Sequence, residues 1–440
     1  MAIPSIREPE RYTPIIAETD VLVVGGGAAG FAAALAASRQ GASTILIERD
    51  SFFGGTLTAA TLGSFCGLFT VTENEVIPVV KGIASELVER LRASGYATET
   101  KRWLKTASVP FDATGLKFVL DDMVVESGVK PILGMMVVGT VMEGDRIQGV
   151  IIEGKGGRGF IACQVVIDAT GDGDVAAQAG LPLEMNAEDL QFASAMFRFH
   201  DVDTDIIKSM TRDKLQQYLT EAADSGKYQL PRLSGGVHLT PKPGTAHCNV
   251  TKVSLDGRPV NPLNPLDLSR GEIIGRQQIR EYERFFRDRV PGFDRAYVSD
   301  VGSRLGIRES RRLKGDYVLT VEDVLGCRRF PDAIACSAWP VEIHGEGKET
   351  KWVWIEPGNY YHIPYRSLIS SQCSNLLVAG RCISSTHEAQ ASVRVVGVCL
   401  AIGQAAGIAA AIVARDGTNV SEIDITKLQG SLTESGAYLG

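Results

Sequence analysis

Apolar residues run without alternation from Val21 to Val24, the pattern of a strand covered on both faces of a parallel sheet. Glycines interrupt the run at Gly25, Gly27 and Gly30, and the alanine-rich stretch Phe31 to Gln40, free of breakers, predicts a helix. A second apolar run, "STILIERD", predicts a strand ending in Glu48. Helical spacing returns in "VVKGIASELVERLRASG" and "LKFVLDDMVVESG", each closed by a glycine. From 129 to 169 the pattern is that of strands: "VKPILG", "MMVVGTVMEGD", "RIQGVIIEG" and "GFIACQVVIDAT" predict a small meander that rejoins the main sheet. Between 185 and 370 the periodicity weakens, apart from the charged helix "SRGEIIGRQQIREYERFFRDRV". The first texture then returns as a strand, "NLLVAG", a polar loop and a long apolar run.

Both ends of the chain therefore share one pattern, and residues 1–184 and 371–440 are expected to form one discontinuous domain around a substrate or cap domain at 185–370. A length of 440 residues suits two domains. The net charge of −7, with no basic run among aromatics, argues against a nucleic-acid partner. The eight cysteines include no C-x-x-C, and no His, Cys or carboxylate group has metal-ligand spacing, so no metal is expected. No secretory signal precedes the first strand, and a cytoplasmic protein is the expectation. Val395 to Val413 has Gln404 as its sole polar residue and is long enough to span a bilayer. Its small residues Gly403, Ala406, Gly407 and Ala410 suit close packing, so a buried core helix is expected rather than membrane insertion. Assembly into a homo-oligomer is left open.

The glycines at 25, 27 and 30 give the spacing G-x-G-x-x-G between a strand and a helix. The first permits a tight turn, the second lets a pyrophosphate approach the backbone, and the third lets helix and strand pack closely. The helix would begin near Ala28 and Ala29, and Glu48 followed by Arg49 lies where a carboxylate accepts a ribose hydroxyl. The same spacing recurs at Gly154, Gly156 and Gly159, but there it joins strand to strand. Without a helix N-terminus it makes no anion site and reads as a hairpin turn.

Further segments extend the first motif. "GGT" at Gly54, Gly55 and Thr56 opens an uncharged loop; "VVIDATGDGDVA" contains Ala169, Thr170, Gly171 and Asp172; "GIRESRRLKGDYVLT" fills 306–320; and "LLVAGRCISSTHEAQASVRVVGVCLAIGQAAG" closes the set. With these five segments in this order, the chain resembles the FAD-dependent oxidoreductases of the glutathione-reductase-like fold, in the branch without a separate NAD domain. The resemblance implies an α/β fold with a Rossmann-like FAD-binding domain, a parallel sheet with a β-meander, and a mixed α+β substrate domain. It implies FAD as cofactor, held by the residues above together with Gly380, Arg381, Ser392, Val393, Arg394 and Val395. Many members of the wider fold carry an acidic "GD" in the C-terminal loop, where this chain has Ala379-Gly380-Arg381. That departure disfavours a hydroxylase and leaves Arg381 for the pyrophosphate or ribityl oxygens, or for a surface salt bridge. The first turn of the last helix, Ser392 to Val395, is expected to present N–H groups to the flavin.

On the substrate side, His387 stands just before that helix and is the leading candidate for the base; His362, His344 and Arg366 follow as candidates. Tyr360, Tyr361 and Tyr365 stand in reserve, while His200, His238 and His247 are read as structural. Arg308 and Arg312 either bind a substrate carboxylate or form ion pairs with Glu309 and Asp316. Cys66 is read as a packed thiol. The expected reaction is hydride transfer between a small organic molecule and flavin N5. Flavin-dependent hydroxylation and a non-redox use of FAD are the alternatives. The electron acceptor is left open among oxygen, a quinone, a carrier protein and transient NAD.

Overall fold

The structure, a computed structural model, describes residues 6–347 and 349–440. The strand Ile15–Val24 lies inside a sheet, paired in parallel with Thr44–Glu48 on one side and Gly157–Asp168 on the other. Val21 to Val24 are all buried, which accounts for the missing alternation. Lys130–Leu133 was expected in the meander; instead it pairs in parallel outside Thr44–Glu48 and closes that edge of the sheet. Its exposed Lys130, Pro131 and Leu133 fit an edge position. The antiparallel part comprises Met136–Glu143, Arg146–Gly154 and the first half of Gly157–Asp168. That last strand has 12 residues, long enough for two partners on one side. Arg146–Gly154 pairs with its start, and Leu376–Val378 pairs in parallel with Val166 to Asp168 at its end, which brings the C-terminal segment back into the sheet.

The apolar run near the C-terminus is divided between two helices, His387–Val393 and Val396–Asp416. Val395 takes an extended backbone, φ −72° and ψ 153°, and becomes the cap of the second helix. The expected flavin-facing turn at Ser392 to Val395 is thus corrected: Ser392 and Val393 end the first helix, and the free N–H groups begin after Val395. The long helix packs on Ala28–Arg39 through two glycines. A Cβ on Gly403 or Gly407 would lie 2.0 or 2.1 Å from the carbonyl oxygen of Ala29 or Ala33. Gln404 is satisfied inside this packing: Oε1 accepts from the Ile83 N–H at 2.9 Å, and Nε2 donates to the Ser435 carbonyl at 3.1 Å. Among the described residues this helix alone is long and apolar enough to cross a membrane, and 89% of its most apolar window is buried within the fold.

A second core forms between Ala193 and Leu305. It lies between a four-stranded antiparallel sheet, ordered Gly236–Leu239, Ala246–Asn249, Phe197–His200 and Tyr297–Val301, and the helix Pro265–Arg289. Buried side chains from Leu319 to Ile369 join the first core, packing with the C-terminal helix. The second core is therefore narrower than the expected 185–370.

Candidate functional site

The three glycines of the first motif do different physical work. Gly25 has φ +97°, and a Cβ there would lie 2.5 Å from the Ala169 carbonyl oxygen. A Cβ on Gly30 would lie 1.7 Å from the Gly25 oxygen, so Gly30 serves helix–strand packing and does not line the cavity beside it. Gly27 is open: the nearest atom to its Cβ position is Gly55 Cα, at 3.8 Å. It caps the helix Ala28–Arg39 with no side-chain partner for the first N–H groups.

These N–H groups face a cavity of about 200 Å³ lined by Gly25, Gly27, Ala28, Ala29, Glu48, Arg49, Gly54, Gly55, Thr56, Ala169, Thr170, Gly171, Asp172, Gly380 and Arg381. Glu48 is fixed at the end of its strand: Oε2 accepts from the Gly26 N–H at 2.6 Å and Oε1 from the Asp50 N–H at 2.8 Å. Unfilled space at a glycine Cβ, free helix N–H groups and an anchored carboxylate fit the diphosphate and ribose of a dinucleotide. Arg381, which replaces the acidic "GD", is held internally. Its Nε donates to the Gly171 carbonyl at 2.6 Å, NH1 to the Ile307 carbonyl at 3.0 Å and NH2 to Asp172 Oδ1 at 2.6 Å. Burial alone would raise the Asp172 carboxyl, but Arg381 and the Ser310 hydroxyl outweigh it and hold its pKa below the ordinary value. The second G-x-G-x-x-G forms the turn of an antiparallel hairpin, and a Cβ on Gly156 meets nothing within 4 Å.

Thr56, Ile307, Arg381, Arg394 and Val396 also line a second cavity, of about 360 Å³, toward the second core. One wall is aromatic. The Trp103, Trp339 and Trp352 rings meet edge to face with centroids 5.9 to 6.1 Å apart. Opposed to it in character is a polar corner built on the strand Val341–Ile343. Glu342 Oε1 pairs with His344 Nε2 at 3.0 Å, while Oε2 accepts from Trp339 Nε1 at 3.2 Å. Burial opposes the Glu342 charge, but the His344 hydrogen bond and the charges of Arg394 and Arg308 outweigh it and hold its pKa below the ordinary value. Burial and the neighbouring Arg308 push His344 well below its ordinary value, so the imidazole is neutral. With its Nε2 proton directed at Glu342, Nδ1 is the free acceptor, facing the Thr350 hydroxyl at 3.4 Å. Arg308 lines this cavity too, braced by the Phe192 carbonyl at 2.6 Å and Ser194 Oγ at 3.0 Å.

The other candidates lie away from both cavities. His387 Nδ1 bonds Glu309 at 2.9 Å and so ties its helix to the 306–313 segment. His362 accepts the Phe330 N–H on Nδ1 at 3.2 Å and stacks on Tyr360. Arg366 pairs with Asp332 at 2.9 Å. Ser392 Oγ donates to the Trp339 carbonyl and meets the Tyr361 hydroxyl at 2.7 Å, while the Tyr365 hydroxyl donates to the Val420 carbonyl. These contacts brace the fold, and His362 Nε2 is buried without a partner. The two candidate arginines among the three of "GIRESRR" divide: Arg312 forms a buried ion pair with Glu309, whereas Arg308 faces the cavity. Asp316 takes no part, accepting the Ser371 N–H instead. Val395 lines the second cavity and Arg394 lines both.

Sequence reasoning passed over Glu342, Arg232 and the tryptophans, and it set aside His238 and His247, which line the second cavity. A signal for the acid was present. Glu342 and His344 are two apart in an extended segment, which puts both side chains on one face. Burial lowers the pKa of His238 to about 4 and holds that of His247 well below its ordinary value.

A sequence profile of the family described as FAD dependent oxidoreductase matches residues 20–432. A 4-oxocyclohex-2-ene-1-carboxylate 5-dehydrogenase of Sinomonas cyclohexanicum is 61% identical over 44 residues, 10% of this chain and 7% of that protein. A thiamine thiazole synthase of Methanococcus vannielii is 28% identical over 162 residues, 35% of this chain and 56% of that protein. The chain thus spans less than two thirds of the length of the curated relatives it matches. Among solved structures, a geranylgeranyl bacteriochlorophyll reductase-like protein from Thermoplasma acidophilum aligns with a TM-score of 0.46 at 14% identity, covering 96% of this chain and 84% of that one. A p-nitrophenol 4-monooxygenase from Pseudomonas putida aligns with a TM-score of 0.46 at 12% identity, covering 95% and 89%.

Proposed function

Because the chain belongs to the FAD dependent oxidoreductase family, we propose that it oxidises or reduces a small organic molecule held in the second cavity, with FAD in the first. The observation that carries this reading is the shared wall: Thr56, Ile307, Arg381, Arg394 and Val396 border both spaces, so a cofactor in one meets a substrate in the other. FAD bound there supplies a two-electron acceptor or donor for a hydride. Gly25, Gly27 and the free N–H groups from Ala28 onward hold the diphosphate, and Glu48 takes the ribose. The N–H groups at the start of Val396–Asp416 put a positive dipole end at the junction.

With FAD supplying the hydride chemistry, the task left to this chain is the proton of the substrate's O–H or N–H, which would pass to His344 Nδ1. Glu342 holds the imidazole through Nε2 and stabilises it once protonated. The same residues run the reverse reaction by returning that proton. A substrate bearing negative charge offsets Arg308, relieving the main neighbouring charge that depresses His344.

The purified protein should be yellow, release FAD on denaturation and bleach without oxygen when its substrate is added. His344→Asn should keep FAD and slow bleaching on the order of 10²-fold, whereas His387→Asn should leave the bleaching rate unchanged. Equal rates in wild type and His344→Asn remove His344 from the proton's path. Oxygen consumption that requires both NAD(P)H and the substrate, without direct bleaching, identifies hydroxylation and overturns hydride exchange with the substrate.

A further inference from the structure

The second cavity contains more positive charge than the fold neutralises. Arg232, Arg308 and Arg394 line it with Glu342 as their nearby carboxylate. Arg394 approaches Glu342 Oε2 at 3.6 Å and also donates to the Glu342 and Gln191 side of the wall through NH2. Arg232 and Arg308 form no ion pair among the described residues, although both are more than nine-tenths buried. Their contacts are neutral: Arg232 with Ser234, Asn249 and Thr350 at 3.2 to 3.4 Å, Arg308 with the Phe192 carbonyl and Ser194. Burial, Arg394 and Arg232, in that order, disfavour the Arg308 charge. Arg381, the remaining buried guanidinium on this wall, is already matched by Asp172.

Buried guanidinium groups remain charged, and leaving them without a counter-charge is costly. Such an arrangement is concentrated at sites where a ligand supplies the missing charge. The cavity also has an apolar part, where Met196, Met210, Leu215 and Phe293 join the three tryptophans in its lining.

We propose that the substrate is a small organic carboxylate, its anionic end between Arg308 and Arg232 and its apolar or ring-shaped body against Trp103, Trp339 and Trp352. This rests on the reading of the second cavity as the substrate site. The planar guanidinium matches a carboxylate through paired N–H donors, so the charge also orients the body. A neutral amide of the same shape leaves at least one guanidinium without its counter-charge.

The tryptophans provide a readout that does not require turnover. The chain has 4 tryptophans, and three line this cavity. FAD-loaded protein is titrated with benzoate and with benzamide while tryptophan emission is followed. Benzoate should quench saturably and bind at least on the order of 10-fold more tightly than benzamide. Arg308→Met and Arg232→Met should each weaken benzoate on the order of 10- to 100-fold while leaving benzamide affinity and FAD content unchanged. Arg308→Lys should recover part of the loss, because it restores charge without the fork. Arg232→Met keeps the test available if Arg308→Met does not fold, since Arg308 also braces Phe192 and Ser194. Benzamide binding as tightly as benzoate, variants with unchanged benzoate affinity, or no response to either probe at millimolar concentration overturns the proposal. Failure of the underlying flavin reading shows separately, as colourless protein or the absence of bleaching with a normal benzoate response.

Discussion

Replacing Gly27 by alanine separates the part of the motif that folds the chain from the part that binds. The added Cβ has its nearest neighbour at 3.8 Å, an ordinary contact, and φ −70° with ψ −171° is open to alanine. Loss of glycine at a helix cap costs a few tenths to about 1 kcal/mol, offset by the reduced freedom of the unfolded chain, about 0.4–1 kcal/mol. The apoprotein should therefore melt within about 1 kcal/mol of wild type. FAD binding has no such allowance. A methyl group in the diphosphate's approach removes one or two charge-assisted bonds to the helix N–H groups, each about 1.5–3 kcal/mol, or roughly 10- to 10⁴-fold in affinity. The controls behave differently: Gly30→Ala drives its Cβ to 1.7 Å from the Gly25 oxygen and should lower stability with or without FAD, while Gly156→Ala meets nothing and should change neither property. FAD released per chain, and thermal melts with and without added FAD, read all three variants. Full FAD content in Gly27→Ala, or an equal loss in Gly156→Ala, refutes the assignment of the phosphate loop.

Other consequences are confined to single contacts. The hydrogen bond that His387 donates to Glu309 raises the His387 pKa above the ordinary value of about 6.5, against the effect of burial. Its stabilising contribution is fully present below that value and is lost as pH rises through the raised folded pKa. The melting midpoint of wild type should fall as pH rises above about 6.5, and His387→Asn should flatten the fall; parallel curves would exclude the pair as its source. Gln404→Leu leaves the Ile83 N–H without its acceptor inside the core and should cost about 1–3 kcal/mol in denaturant melts. A variant as stable as wild type would mean that water replaces the amide.

What the sequence made legible follows from the range of the interactions involved. The strand, turn and helix around Gly25–Gly30 were readable because their requirements are local: a buried strand shows no alternation, and a close approach needs glycine. The hairpin at Gly154–Gly157 could be set apart for the same reason, since the element that follows it is a strand. The substrate side has no such local grammar. His387 precedes the cofactor helix in sequence, but Val395 breaks the chain's helical path, and Glu309, 78 residues earlier, claims its imidazole. His344 and Arg308 stand 36 residues apart in sequence yet line one wall, because the stretch after the second core returns to the first. Whether Arg308 or Arg312 faced a ligand depended on where Glu309 points. That is a contact between neighbours, decided by packing rather than spacing. The charge imbalance was equally hidden: the chain as a whole is acidic, at −7, while its cavity is basic. Net charge sums the surface, but an enclosed site is governed by the few groups within reach of one another. On the proposed reading, recognition in this fold is written twice, locally for the cofactor and only in three dimensions for the substrate.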